Sequence, residues 1–251
     1  MSSRNKRIPD DVPSDYADYA DALGLLARIH DREADRELIA GLRGNAIALW
    51  LGGFLTTPRA IEAAAAFGRA LDEFPEPLGE RELDLLAAEY ADIYLVHAYR
   101  VSPSGSVWLT EDHLERQEPM FELRKWYHHY GVKAPDWRQR PDDHIVHQLQ
   151  FAVQLIAADE SHTRADAARF LDAGLLKWIG EWASRIVTRS ASGFYRASAE
   201  LTAAIVEELR DALARTEGVA RPQPDPEPAS RAKPVEMNSE GPFFPGQAES
   251  W

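Results

Sequence analysis

The chain has 251 residues, a formal net charge of −13 and no cysteine. Lack of cysteine excludes disulfides, thiolate metal sites and a thiol nucleophile, and the acidic balance argues against nucleic acid, whose phosphates it repels. At 45% apolar residues the chain can bury a proper core, yet its longest apolar run, Ala46 to Leu55, falls short of the ~18 residues of a membrane span.

The basic start, Met1 to Arg7, is not followed by an apolar segment, so it does not read as a secretory signal. These features lead us to expect a soluble, cytoplasmic protein without stable membrane insertion. An acidic surface favours a cationic partner.

Apolar residues recur at helical spacing nearly throughout. Asp15 to Ile29 carries Tyr16, Tyr19, Leu23 and Leu26 on one face. Gly41 and Gly44 mark a break, and Asn45 to Leu55 forms an apolar helix. Thr57 is the expected N-cap of a helix that opens on Pro58 and runs to about Phe74. Glu80 to about Tyr99 forms another helix, with Leu83, Leu86, Tyr90, Ile93 and Tyr94 inward.

Val101 to Leu109 reads as a loop. Thr110 is expected to cap a helix running to Tyr130 and stopping on Gly131. After a second loop, Pro141 opens a helix to about Ala158. Thr163–Thr188 and Tyr195–Thr216 are the last two. No segment alternates as a strand would. Prolines crowd the chain beyond Glu217, so the tail is expected to be extended, with Phe243 and Phe244 as an aromatic island.

Two stretches carry the functional signal. One is Arg140-Pro-Asp-Asp-His-Ile-Val-His147 and the other Ser102-Pro-Ser-Gly-Ser-Val-Trp-Leu109. Proline at a first helical position with acids in the first turn is ordinary helix-start chemistry. It accounts for Pro141, Asp142 and Asp143 but leaves His144 unexplained. Two further patterns accompany them, Glu89-Tyr90 ahead of Tyr94, and Trp126-Tyr127 ahead of Gly131.

These motifs, in this order and spacing, resemble the TorD/DmsD family of chaperones, which bind the twin-arginine signal peptides of molybdoenzymes. The resemblance spans about Gly44 to Leu213. It implies an all-α, multi-helix bundle with N-terminal and C-terminal helical parts hinged near 101–109. Residues 1–40 would be an extension with an acidic helix, 41–216 the chaperone domain and 217–251 the tail. Family members occur as monomers and as domain-swapped dimers, so a homodimer stays open.

The resemblance also implies a binding protein rather than an enzyme, with no cofactor beyond the molybdenum cofactor that it helps insert into its client; whether the chain itself binds that cofactor or a nucleotide stays open. Its partner would be the signal peptide and body of a molybdoenzyme catalytic subunit of the dimethyl-sulfoxide-reductase type. Export would wait for molybdenum cofactor insertion. The family's acid–histidine pair maps onto Asp143 and His144. Pro141, Pro103 and Ser104 would complete the loops. Asp142, Asp143 and Glu89 would form an acidic rim for arginines, with Tyr90, Trp108 and Trp126 as apolar walls. Where the family often carries a tryptophan after the loop proline, this chain has Ser104; Trp108 stands four residues on.

Two rivals stand beside this reading. One is an assembly factor whose partner lacks a twin-arginine leader. The other is a metal-dependent helical-bundle enzyme using His144 and His147, one turn apart. The latter lacks a His-Glu-x-x-His arrangement.

Overall fold

The computed structural model describes residues 16–96, 99–135 and 138–223. The expected proline-rich extension from 224 onward, with Phe243 and Phe244, lies outside the described residues, as do His97 and Trp137.

Eleven α-helices make up the described chain, and no strand occurs among the described residues. Helix α1 is Ala17–Asp31, α2 Arg36–Gly44, α3 Ile47–Phe54, α4 Pro58–Asp72 and α5 Glu80–Tyr90. Then come α6 Gly105–Leu109, α7 Glu118–His129, α8 Ile145–Ala157, α9 Ser161–Ala173, α10 Ile179–Arg189 and α11 Gly193–Glu217. Helix α11 packs on α4, α10, α9 and α1, and α8 packs on α1 and α9. Both α8 and α11 are buried on most sides, as expected of helices that run through a core.

Local signals explain many boundaries. The Thr57 hydroxyl accepts the Ala60 N–H, and Pro58 is the first residue of α4. Gly131 ends α7 in the left-handed region at φ 67°. There the Val132 N–H donates to the Tyr127 carbonyl at 2.8 Å and the Gly131 N–H to that of His128, the paired bonds of a Schellman stop.

The stretch Val101 to Leu109, expected as a loop, ends in the short helix α6, and four helix boundaries also differ from expectation. The helix expected from Thr110 to Tyr130 begins only at Glu118. Pro119 explains this, since a proline fits the first helical turn but clashes with the preceding turn in an interior. Thr163–Thr188 is divided at Gly174, where a Cβ would lie 2.3 Å from Gln148 Oε1. The helix expected to start at Pro141 starts at Ile145, with His144 as its N-cap. Asp142 and Asp143 therefore precede the first turn rather than forming it.

The fourth difference lies at the end of α5. Ala91–Leu95 forms a π-helical turn, a wider winding often found at functional sites. It stacks Tyr90 on Tyr94, with ring centroids 4.6 Å apart, and leaves Leu95 and Val96 62% and 66% exposed.

The segment set apart as an N-terminal extension includes α1. This helix buries Tyr19, Leu23, Leu26 and Ile29 completely and packs chiefly on α8. It is part of the core. His30 on α1 is also fully buried, between the Tyr94 hydroxyl at 2.6 Å and the Thr202 hydroxyl at 2.8 Å. Burial lowers its pKa to about 3, so the ring is neutral at physiological pH.

Candidate functional site

The two motif stretches fold against each other. An isolated antiparallel bridge pairs Ser104 with His144. The Gly105 N–H donates to the Asp143 carbonyl at 3.1 Å, and the Ile145 N–H to the Pro103 carbonyl at 2.8 Å. Ser106 adds its backbone N–H and its hydroxyl, at 2.6 and 2.5 Å, to Asp143 Oδ2. The Gln148 amide donates to the Asp143 carbonyl at 2.7 Å. One carboxylate thus caps α6 from outside that helix while its own backbone joins the bridge.

This arrangement corrects the acidic rim expected from the sequence. Asp143 is fully buried, and burial raises its pKa against the lowering effect of the Ser106 bonds. Asp142 is also buried; its Oδ2 accepts Arg124 Nε at 2.5 Å and its carbonyl accepts the Tyr127 hydroxyl at 2.9 Å. Glu89 is turned inward to the Ser190 hydroxyl and to the Ala191 N–H at 3.0 Å. A carboxylate that leaves water keeps its charge cheaply only when such donors surround it. These three acids serve the fold's interior.

The remaining expected residues separate into two groups. Tyr90, Pro103, Pro141 and His144 come together around one cleft of about 470 Å³. Ser104 is buried between the loops, its hydroxyl 3.2 Å from Glu115 Oε1. Trp108 lines a neighbouring hollow of about 620 Å³ with Val107 and Leu114. Its ring lies under the Arg185 guanidinium at 4.4 Å. Trp126 lines neither cavity and packs edge-on to Phe170.

Glu115 borders both cavities. The first cleft has walls of Tyr90, Tyr94, Leu95 and three prolines, Pro103, Pro135 and Pro141. Its charged groups are Asp31, Glu115 and Arg140, with His147 beside them. The sequence reading missed Asp31, Glu115 and Arg140 as site residues. Arg140 opens the motif stretch but had no role assigned to it, and nothing local marks Asp31, which ends α1.

The histidines are bound into the scaffold. His144 Nδ1 accepts the Val146 N–H at 3.2 Å, which places the proton of a neutral ring on Nε2. His147 Nδ1 lies 3.0 Å from the Pro141 carbonyl, and burial lowers its pKa. Burial likewise raises the Tyr90 hydroxyl to about 12. Among the described residues, no cluster of three or more His, Cys, Asp or Glu side chains is arranged to hold a metal ion. No described helix is long and apolar enough to cross a membrane.

A family model described as nitrate reductase delta subunit matches residues 61–184, which include both loops. Chaperone protein TorD of Vibrio vulnificus is 24% identical over 188 residues, covering 71% of this chain and 86% of the relative. TorD of Photobacterium profundum is 26% identical over 185 residues, 70% and 85% of the two chains. TorD of Shewanella loihica is 26% identical over 205 residues, 79% and 93%.

The family model and the TorD relatives support placing this chain in the TorD/DmsD family. The TorD relatives are named as chaperones, not as enzymes. Helix α1, which supplies Asp31, precedes the stretch matched by the family model.

Proposed function

We propose that this chaperone acts in molybdoenzyme maturation by binding the twin-arginine signal peptide of a precursor in the cytoplasm. The client is a catalytic subunit of the dimethyl-sulfoxide-reductase type. Binding holds back export until molybdenum cofactor has entered the client; the chaperone itself turns nothing over. One observation carries this reading: the Ser104–His144 bridge gathers Pro103, Pro141, His144 and Tyr90 around a single cleft whose acids are Asp31 and Glu115.

The chemistry matches a leader with a cationic start and an apolar middle. Asp31 and Glu115 offer carboxylates to guanidinium groups. Leu95, Val96 and the proline edges offer apolar area, with Trp108 and Leu114 beyond Glu115. Charge speeds and orients the encounter, and apolar burial sets the residence time. Asp142 and Asp143 act as positioning residues that hold the loops, not as partners of the arginines.

Affinity recovery of the tagged protein from its native host, with mass spectrometry, tests the function. A molybdoenzyme precursor that retains its twin-arginine leader, and is lost with Asp31→Asn/Glu115→Gln, is the expected result. A partner without such a leader, recovered equally by both proteins, would favour an assembly factor of another kind.

A further inference from the structure

The C-terminal end of α1 already holds a guanidinium. Arg140 reaches across to Asp31, donating through one terminal nitrogen to Asp31 Oδ1 and through the other, at 3.0 Å, to the Asp31 carbonyl. The two acceptors suit a forked cation. One is a carboxylate, and the other is a carbonyl of the last helical turn, where the macrodipole adds negative potential. Both side chains remain partly open, Arg140 28% and Asp31 36% exposed, within the cleft that Tyr90 and His144 line. Arg28 does not compete for this acid, because its guanidinium pairs with Asp35 at 3.0 Å.

We propose that Asp31 is the subsite for a client arginine and that Arg140 is its internal occupant, displaced when the client binds. This rests on the peptide-binding role proposed above. Arg140 adjoins Pro141, whose loop is fixed by the bridge to Ser104, so side-chain rotation alone releases Asp31. The internal ion pair lowers apparent affinity by the fraction of time it is closed. It also sets a threshold: a lysine's compact ammonium lacks the planar fork that matches two spaced acceptors and exchanges poorly for a two-pronged guanidinium.

The test uses fluorescence anisotropy of the full chain with two labelled synthetic peptides, one carrying an Arg-Arg pair ahead of an apolar Leu/Ala stretch, the other Lys-Lys. Arg140→Gln is expected to bind the Arg-Arg peptide about fivefold more tightly than wild type, with a smaller gain for Lys-Lys. Asp31→Asn is expected to bind it about fivefold more weakly, and adding Arg140→Gln to it is expected to restore nothing. Arg140→Lys, which retains the charge should the Gln variant fail to fold, is expected to lie between wild type and Arg140→Gln. Equal or weaker binding by folded Arg140→Gln or Arg140→Lys overturns the proposal while leaving peptide binding intact. Binding by neither wild type nor the Arg140 variants overturns both. Binding by Arg140→Gln alone supports the internal occupant.

Discussion

Ser106 donates its backbone N–H and its hydroxyl to the same oxygen of Asp143, across 37 positions of sequence. The pair starts α6, fixes the Ser102–Ser106 loop and leaves no accessible carboxylate on Asp143. A residue that reads as a peptide contact is thereby buried where the two loops meet.

Asp143→Ala should cost about 2–4 kcal/mol, because it strands buried donors of Ser106. Asp143→Asn keeps an acceptor of the same shape and should cost about 1–2 kcal/mol. Urea denaturation checks both. The Asn variant should keep signal-peptide affinity within a few-fold of wild type. Abolished binding by a fully folded Asn variant would mean that this carboxylate touches the peptide after all.

Glu208 on α11 plays a comparable part at the start of α4. Its carboxylate accepts the Thr56 and Thr57 N–H groups at 2.8 and 3.0 Å, the hydroxyls of both threonines and the Tyr19 hydroxyl. Burial alone would raise its pKa, but these bonds outweigh burial and lower it. Glu208→Ala should destabilise the protein by about 3 kcal/mol. Thermal and urea unfolding that match wild type would show that the threonines find other acceptors.

Gly174→Ala should also destabilise, by about 1–3 kcal/mol. Its Cβ would meet Gln148 Oε1 at 2.3 Å and Leu123 at 3.1 Å. Moving Gln148 breaks its bond to the Asp143 carbonyl, so the strain should reach the cleft as faster amide exchange at Gly105 and Ser106. Unchanged exchange there would separate the two sites.

His30 predicts a pH dependence. Its folded pKa, about 3, lies below the ordinary 6.5, so the unfolded chain binds the extra proton. Stability is fully present above pH 6.5 and falls toward pH 3, by about 1.4 kcal/mol per pH unit. Buried His147 acts in the same sense. His30→Gln retains hydrogen-bonding groups but does not titrate. Whatever it costs at pH 7, its stability deficit should shrink by about 2 kcal/mol at pH 5. Parallel stability curves for the two proteins would contradict a neutral, buried imidazole.

Helical periodicity, the Thr57 cap and the Gly131 stop were legible because each is a local signal; Pro119 is equally local but went unread, and it outweighs the Thr110 cap. The π-turn at Ala91–Leu95 has no local mark; the Tyr94 that it carries meets His30 on α1, 64 residues away in sequence. Within the site, the motifs named Tyr90, Pro103, Pro141 and His144 but assigned Asp142, Asp143 and Glu89 to the surface. Burial depends on Ser106, Arg124 and Ser190, which lie far away in sequence. Asp31 was invisible for the same reason, since its link to the motif is its contact with Arg140, 109 residues on.

The most direct measurement is backbone amide hydrogen exchange of the full chain, with and without the leader peptide of the precursor it recovers. Binding in the cleft predicts slower exchange at 90–96, 103–106 and 139–147 and at the C-terminal end of α1. Protection confined to α2 to α4, or none at saturating peptide, would contradict the site.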